Sequence, residues 1–170
     1  DYWGINMSDV FLRNLPVPFF SQRQNDYVLV EKYDRDIKNE KKQIIHKKGD
    51  IKREISMDNR TCNITSVMMV MKYLGLTGIE KTINGKTFKT PNTPKEFLTN
   101  YFNHKYDFLF TKKDDKPTYE VACLENWANL RKIGQYVFGA ECLYTNEEDS
   151  SITLTELKNE IAKGFPVCIS

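Results

Sequence analysis

With 170 residues, 40% of them apolar and 28% charged, the chain has the size and mix of one globular domain able to bury a core. Its 25 basic and 23 acidic residues leave a net charge of +2, too small an excess for a dedicated nucleic-acid binder. No apolar run reaches the roughly 18 residues that a membrane-spanning helix requires, and the four cysteines (Cys62, Cys123, Cys142 and Cys168) form no C-x-x-C pair and no zinc-ligand spacing, so neither a metal nor another cofactor is expected.

The chain opens on Asp1 with no basic-then-apolar leader. Residues 1–15 read as irregular, with Trp3, Phe11 and Leu12 available to pin them down. From Leu15 to Gln22 the backbone is expected to be extended, because Pro16 and Pro18 block helix and bias their predecessors to extended geometry. Tyr27–Val30 is a short strand candidate. Residues 31–54 then become highly charged, with Lys41-Lys42, Lys47-Lys48 and Lys52-Arg53, and read as a solvated insertion with a hairpin turning at Gly49-Asp50. A basic patch for an anionic partner is the other use of such a stretch, and the intermixed acids weigh against it.

After Thr61, apolar side chains at Ile64, Val67, Met68, Met71 and Leu74 recur at spacings of three and four, the mark of a helix with one buried face, and Gly75 supplies its stop. The methionines read as core filler rather than as a ligand groove. A small hairpin is expected over Thr82–Phe88. Thr93-Pro94-Lys95-Glu96 is a capping box with proline at the first helical position, predicting a helix to about Asn103. A third helix is expected from Tyr119 to Ile133, ended by Gly134, followed by an extended stretch from Tyr136 to Tyr144. A second capping box, Thr153 with Glu156, opens a helix to Lys163 with Gly164 at its end. Gly164–Ser170 reads as a buried strand, which needs a strand partner, so polypeptide is expected to continue beyond Ser170. Helices first and strands near the C-terminus make this an α+β chain.

Cys62 is the outstanding chemical feature. A thiol at the start of a buried helix lies near unpaired backbone N–H groups and the positive end of the helix dipole, and both favour the nucleophilic thiolate. Such a nucleophile needs a donor for the oxyanion and a base. Gln22, on its proline-flanked segment, is a neutral donor, with Gln24 as the alternative, and the Cys62 backbone N–H is the second donor. Asn63 either orients groups beside the site or supports the helix start. His46, in the charged insertion, and His104, at a helix end, read as surface histidines. Cys123, Cys142 and Cys168 read as small buried hydrophobes, a disulfide between two of them being the other reading.

Val17-Pro18-Phe19-Phe20-Ser21-Gln22-Arg23-Gln24-Asn25 and Thr61-Cys62-Asn63-Ile64-Thr65-Ser66-Val67-Met68-Met69-Val70 resemble the two leading motifs of papain-like cysteine peptidases. They are most similar to those of the double-glycine, bacteriocin-processing type and its stand-alone relatives. Leu157–Ile169 resembles that family's helix and following strand. The resemblance implies a papain-like α+β fold over residues 1–170, in which a helical part bearing the nucleophile helix is followed by an antiparallel sheet that is incomplete at the C-terminus. It also implies Cys62 as nucleophile, Gln22 as oxyanion donor, and a catalytic His with its Asp or Asn partner beyond Ser170. Two departures accompany it: Gln22 and Cys62 stand 40 residues apart, a long separation that the charged 31–54 insertion accounts for, and the family's His does not occur within the chain. The implied activity is hydrolysis of a peptide or amide bond through a Cys62 thioester, on cell-wall peptides or on a leader or other protein, in an extracellular or envelope setting, as in bacterial or phage wall-lytic enzymes. The alternative is a non-catalytic peptide-binding or assembly domain with a degenerate peptidase fold.

Overall fold

The computed structural model describes residues 15–110, 119, 124, 126–141 and 153–168. The expectations for Trp3, Phe11 and Leu12, for Cys123 and Cys142, and for residues 142–144 lie outside them. The elements run β1 (Val28–Lys32), β2 (Ile37–Lys38), β3 (Ile44–His46), β4 (Ile51–Ser56), α1 (Cys62–Tyr73), β5 (Glu80–Ile83), β6 (Lys86–Lys89), α2 (Pro94–Phe102), α3 (Trp127–Ile133) and α4 (Leu154–Ala162). The chain is α+β, but its order differs from the expected one. The strands form three two-stranded antiparallel ribbons, β1–β4, β2–β3 and β5–β6, and all of them precede α3. Residues 165–168 lie in no strand among the described residues, and Phe165 is exposed. A strand exists only through a neighbour's hydrogen bonds, so apolar composition alone does not make one.

The core collects on α1, whose buried face is Ile64, Thr65, Val67, Met68 and Met71. Each fully buried aliphatic or methionine side chain there contributes on the order of 1.5–3 kcal/mol. Leu74, expected on this face, is the C-cap residue and stays exposed where the helix stops; Gly75, at φ 69°, takes the left-handed turn that ends it. Against α1 and its surroundings pack Phe97, Leu98 and Tyr101 of α2, Leu130 and Ile133 of α3, and Tyr106, Leu109 and Phe110. Phe97 stacks on both Tyr101 and Tyr106, with ring centroids 5.5 and 5.8 Å apart. Burial pushes the Tyr106 phenol above its ordinary range.

The capping signals mark two helix starts. At α4 the box is complete: Thr153 Oγ1 accepts from Glu156 N–H, and the Glu156 carboxylate accepts from Thr153 N–H. At α2 only half of it forms. Thr93 accepts from Glu96 N–H at 3.2 Å, while the Glu96 carboxylate reaches past it to Asn92 N–H at 2.8 Å.

The third helix departs from expectation at both ends. It starts at Trp127, because the Asn126 side chain accepts from Ala128 and Asn129 N–H and so caps there. Gly134 does not end it. The chain continues through a wider π turn, Gly134–Phe138, which replaces the extended stretch expected from Tyr136. The stop is Gly139, at φ 71°. Lys81 of β5 donates to the Phe138 carbonyl, placing a cation where the helix leaves unpaired oxygens; partial burial lowers its amine below the ordinary lysine range.

The charged insertion is a β arm. Strands β1 and β4 pair at its root, with Leu29 opposite Ile55, and β2 and β3 pair farther out, so the hairpin turns over Asn39–Gln43 instead of at Gly49-Asp50. Gly49 and Asp50 bond to Tyr33 across the arm, which makes them part of its middle. Leu29 and Ile55 pack on the core, and Tyr27 stacks on Phe102 of α2 at 5.7 Å. Beside that root Lys95 pairs with Asp26 and holds its carboxyl below the usual range.

Candidate functional site

Ser21 closes the proline-flanked segment, and Gln22, expected to be its last extended residue, instead opens a short 3-10 turn, Gln22–Gln24. This turn is tied to the amino end of α1 by its own side chains. Asn25, 2% exposed, donates through Nδ2 to Thr61 Oγ1 at 2.9 Å and to Thr65 Oγ1 at 3.0 Å. Thr61 Oγ1 in turn donates to the Met57 carbonyl at 2.8 Å. On the outside, Arg23 Nη1 donates to Asn59 Oδ1 at 2.6 Å. Thr61 and Thr65, both buried, stand one helical turn apart, so one amide bridges them.

The Gln22 side chain is half-buried, and its Oε1 is enclosed without a hydrogen-bond partner among the described residues. Leaving such an oxygen unpaired costs about 1–3 kcal/mol.

Cys62 is the first residue of α1, an exposed free thiol whose Sγ lies 3.5 Å from Asn63 Oδ1. The N-cap residue Thr61 makes no side-chain cap, since its hydroxyl is committed to Met57 and Asn25, and no acidic residue stands in the first turn. The positive end of the α1 dipole is therefore left uncompensated by its own first turn, an environment that favours negative charge. Ser66, one turn on, donates to the Cys62 carbonyl at 3.0 Å.

Ser66, Met69 and Val70 of α1 face Val17 and the Pro166–Cys168 segment across a shallow apolar hollow. Tyr73 Oη donates to the Gly164 carbonyl at 3.1 Å and fixes that segment on the helix. Met68 and Met71 are buried core, as their spacing indicates, whereas Met69 lines the hollow. Cys168 is half-buried there and not sealed in the core.

Both histidines are engaged elsewhere. His46 stacks on Tyr33 of the arm at 4.6 Å. His104, in a left-handed turn after α2, lies on Tyr119 at 3.9 Å and sets Nδ1 3.5 Å from Asp107 Oδ2. Gln24, the alternative donor, is exposed at the end of its turn. Among the described residues no three His, Cys, Asp or Glu side chains gather as a metal site, and no helix is long and apolar enough to cross a membrane.

The Asn25 tie was not visible in the sequence, because a single asparagine in a loop carries no signal of its partners. The Thr61–Thr65 spacing hints only that two hydroxyls share a face. Replacing Asn25 by alanine is expected to lower stability by about 2–4 kcal/mol in chemical denaturation, from two lost hydrogen bonds and a small void. A loss under about 0.5 kcal/mol would show that the tie contributes nothing to the fold.

Searches of the curated proteins and of the solved structures return no match. The model of the Peptidase_C39 like family matches residues 15–170, a span that contains the Gln22 turn, the Cys62 helix and the Gly164–Cys168 segment. The chain therefore belongs to the Peptidase_C39 like family, as a relative of the C39-type papain-like cysteine peptidases.

Proposed function

We propose that the protein is a papain-like cysteine hydrolase in which Cys62 is the nucleophile and Gln22, with the Cys62 backbone N–H, receives the oxyanion. The observation that carries this reading is the buried Asn25 bridge, which holds the Gln22 turn against the helix end that bears the thiol. The Cys62 sulfur adds to the carbonyl carbon of a peptide or amide bond, and the negative charge formed on the carbonyl oxygen is met by neutral N–H donors. Collapse breaks the C–N bond, the amine leaves with a proton, and water hydrolyses the thioester to an acid and the free thiol. The proton carrier is neither His46 nor His104, since both are held elsewhere; on the family pattern it is a histidine on a strand that follows the Pro166–Cys168 segment. The substrate is a peptide, with cell-wall cross-links ahead of protein leaders, and the setting is extracellular or at the envelope.

The placement of the two histidines also supports a second reading, a peptide-binding domain that has lost turnover. Alkylation separates the two. Treated with a peptidyl chloromethyl ketone, the protein is expected to be labelled once, at Cys62 and ahead of Cys168, with parallel loss of peptide hydrolysis. Hydrolysis that survives complete labelling of Cys62 overturns the hydrolase reading, and a protein that binds peptides but neither cleaves them nor takes the label is the binding domain.

A further inference from the structure

We propose that the β arm docks the protein on an anionic lipid surface, using the lysines and isoleucines of its outer half. Residues 40–54 are exposed without exception, so this part of the arm packs against no core element among the described residues. Between Lys38 and Lys48 the lysines 38, 41, 42, 47 and 48 face a single acid, Glu40, a local excess of four charges in a chain whose net charge is +2. None of these five lysines is ion-paired among the described residues, whereas Arg53 at the root is paired with Glu31 at 2.6 Å. The nearby acids Asp36 and Asp50 accept from the backbone N–H groups of Lys48 and Lys47, each at 2.8 Å, and so brace the arm; with them counted, the excess over residues 36–50 is two charges, concentrated at Lys41 and Lys42.

Beside the lysines stand three isoleucines outside the hydrophobic core: Ile44, Ile45 and Ile51 are 48, 52 and 57% exposed. Lysines alone would serve to protect a ribbon edge from pairing with other chains. Half-exposed isoleucines undo that protection unless something covers them. A soluble polyanion would take the lysines and leave the isoleucines wet. A bilayer with acidic head groups takes both, the ammonium groups at the phosphates and the aliphatic groups at the head-group boundary. The stacked Tyr33–His46 pair and the backbone bonds at Tyr33 keep the arm extended for such contact. This proposal stands independently of any chemistry at Cys62.

The test is co-sedimentation of the whole chain with vesicles of phosphatidylcholine containing about one-third phosphatidylglycerol, against phosphatidylcholine alone. Binding is expected only to the acidic vesicles and is expected to weaken as salt rises through about 0.1–0.5 M. Lys41→Gln with Lys42→Gln, and separately Ile44→Ser with Ile45→Ser, should each weaken it about tenfold or more, with unchanged circular dichroism because the positions touch no core residue. Lys47→Gln with Lys48→Gln provides a second charge variant should the first misfold. Absence of binding to acidic vesicles overturns the proposal. Binding that the isoleucine pair leaves unchanged, and that double-stranded DNA or polyphosphate competes away, also overturns it and identifies a soluble polyanion as the partner.

Discussion

Cys62→Ala is expected to lower peptide turnover by on the order of 10⁴–10⁶ while moving the melting temperature by no more than about 2 °C. The large term follows from removing the atom proposed to form the thioester, a role Ser66 does not take over, since one turn away it already donates its hydroxyl to the Cys62 carbonyl. The small term follows from exposure. Among the described residues the thiol's hydrogen-bond partner is the Asn63 side chain, and alanine is the better helix former. Turnover and thermal denaturation measured on one preparation check both halves. A variant that keeps more than about a tenth of the activity would show that the sulfur is not the nucleophile.

Gln22→Ala is expected to reduce kcat on the order of 10²–10³, with little change in KM, because the amide would act on charge that exists only in the transition state. Stability should move the other way from an ordinary half-buried polar truncation. Among the described residues the Gln22 Oε1 is enclosed without a partner, so its removal is expected to relieve a desolvation cost of about 1–3 kcal/mol that offsets the lost packing. A variant that is slower yet at least as stable as the parent is the signature of a group retained for function against stability. Alkylation supplies a further separation, since the reaction of iodoacetamide at Cys62 develops no oxyanion and its rate should stay unchanged. A kcat within about threefold of wild type removes Gln22 from the mechanism.

Much of the local structure was legible in the sequence. The spacing of Ile64, Val67, Met68 and Met71 marks α1 and its buried face, Thr153 with Glu156 marks the start of α4, and the turn between Ile83 and Lys86 marks the β5–β6 hairpin. These signals are local, set by hydrogen bonds and side-chain directions that repeat within about four residues. The misreadings have non-local causes. Gly134 looks like a helix stop, yet the stop moves to Gly139, where Lys81 arrives from a distant strand to meet the Phe138 carbonyl. The arm turns at Asn39–Gln43 because the pairing of Val28–Lys32 with Ile51–Ser56 sets its register from the root.

The sequence by itself determined the helices that carry their own caps and periodicity, and its motifs are the ground for proposing Cys62 as nucleophile and Gln22 as oxyanion donor. Only the tertiary structure decided how their segments meet. Asn25 reaches Thr61 and Thr65 across 36 and 40 residues of chain, a contact that local pattern cannot encode. It forms because a buried amide must find acceptors once water is excluded, and the two threonine hydroxyls at the start of α1 supply them.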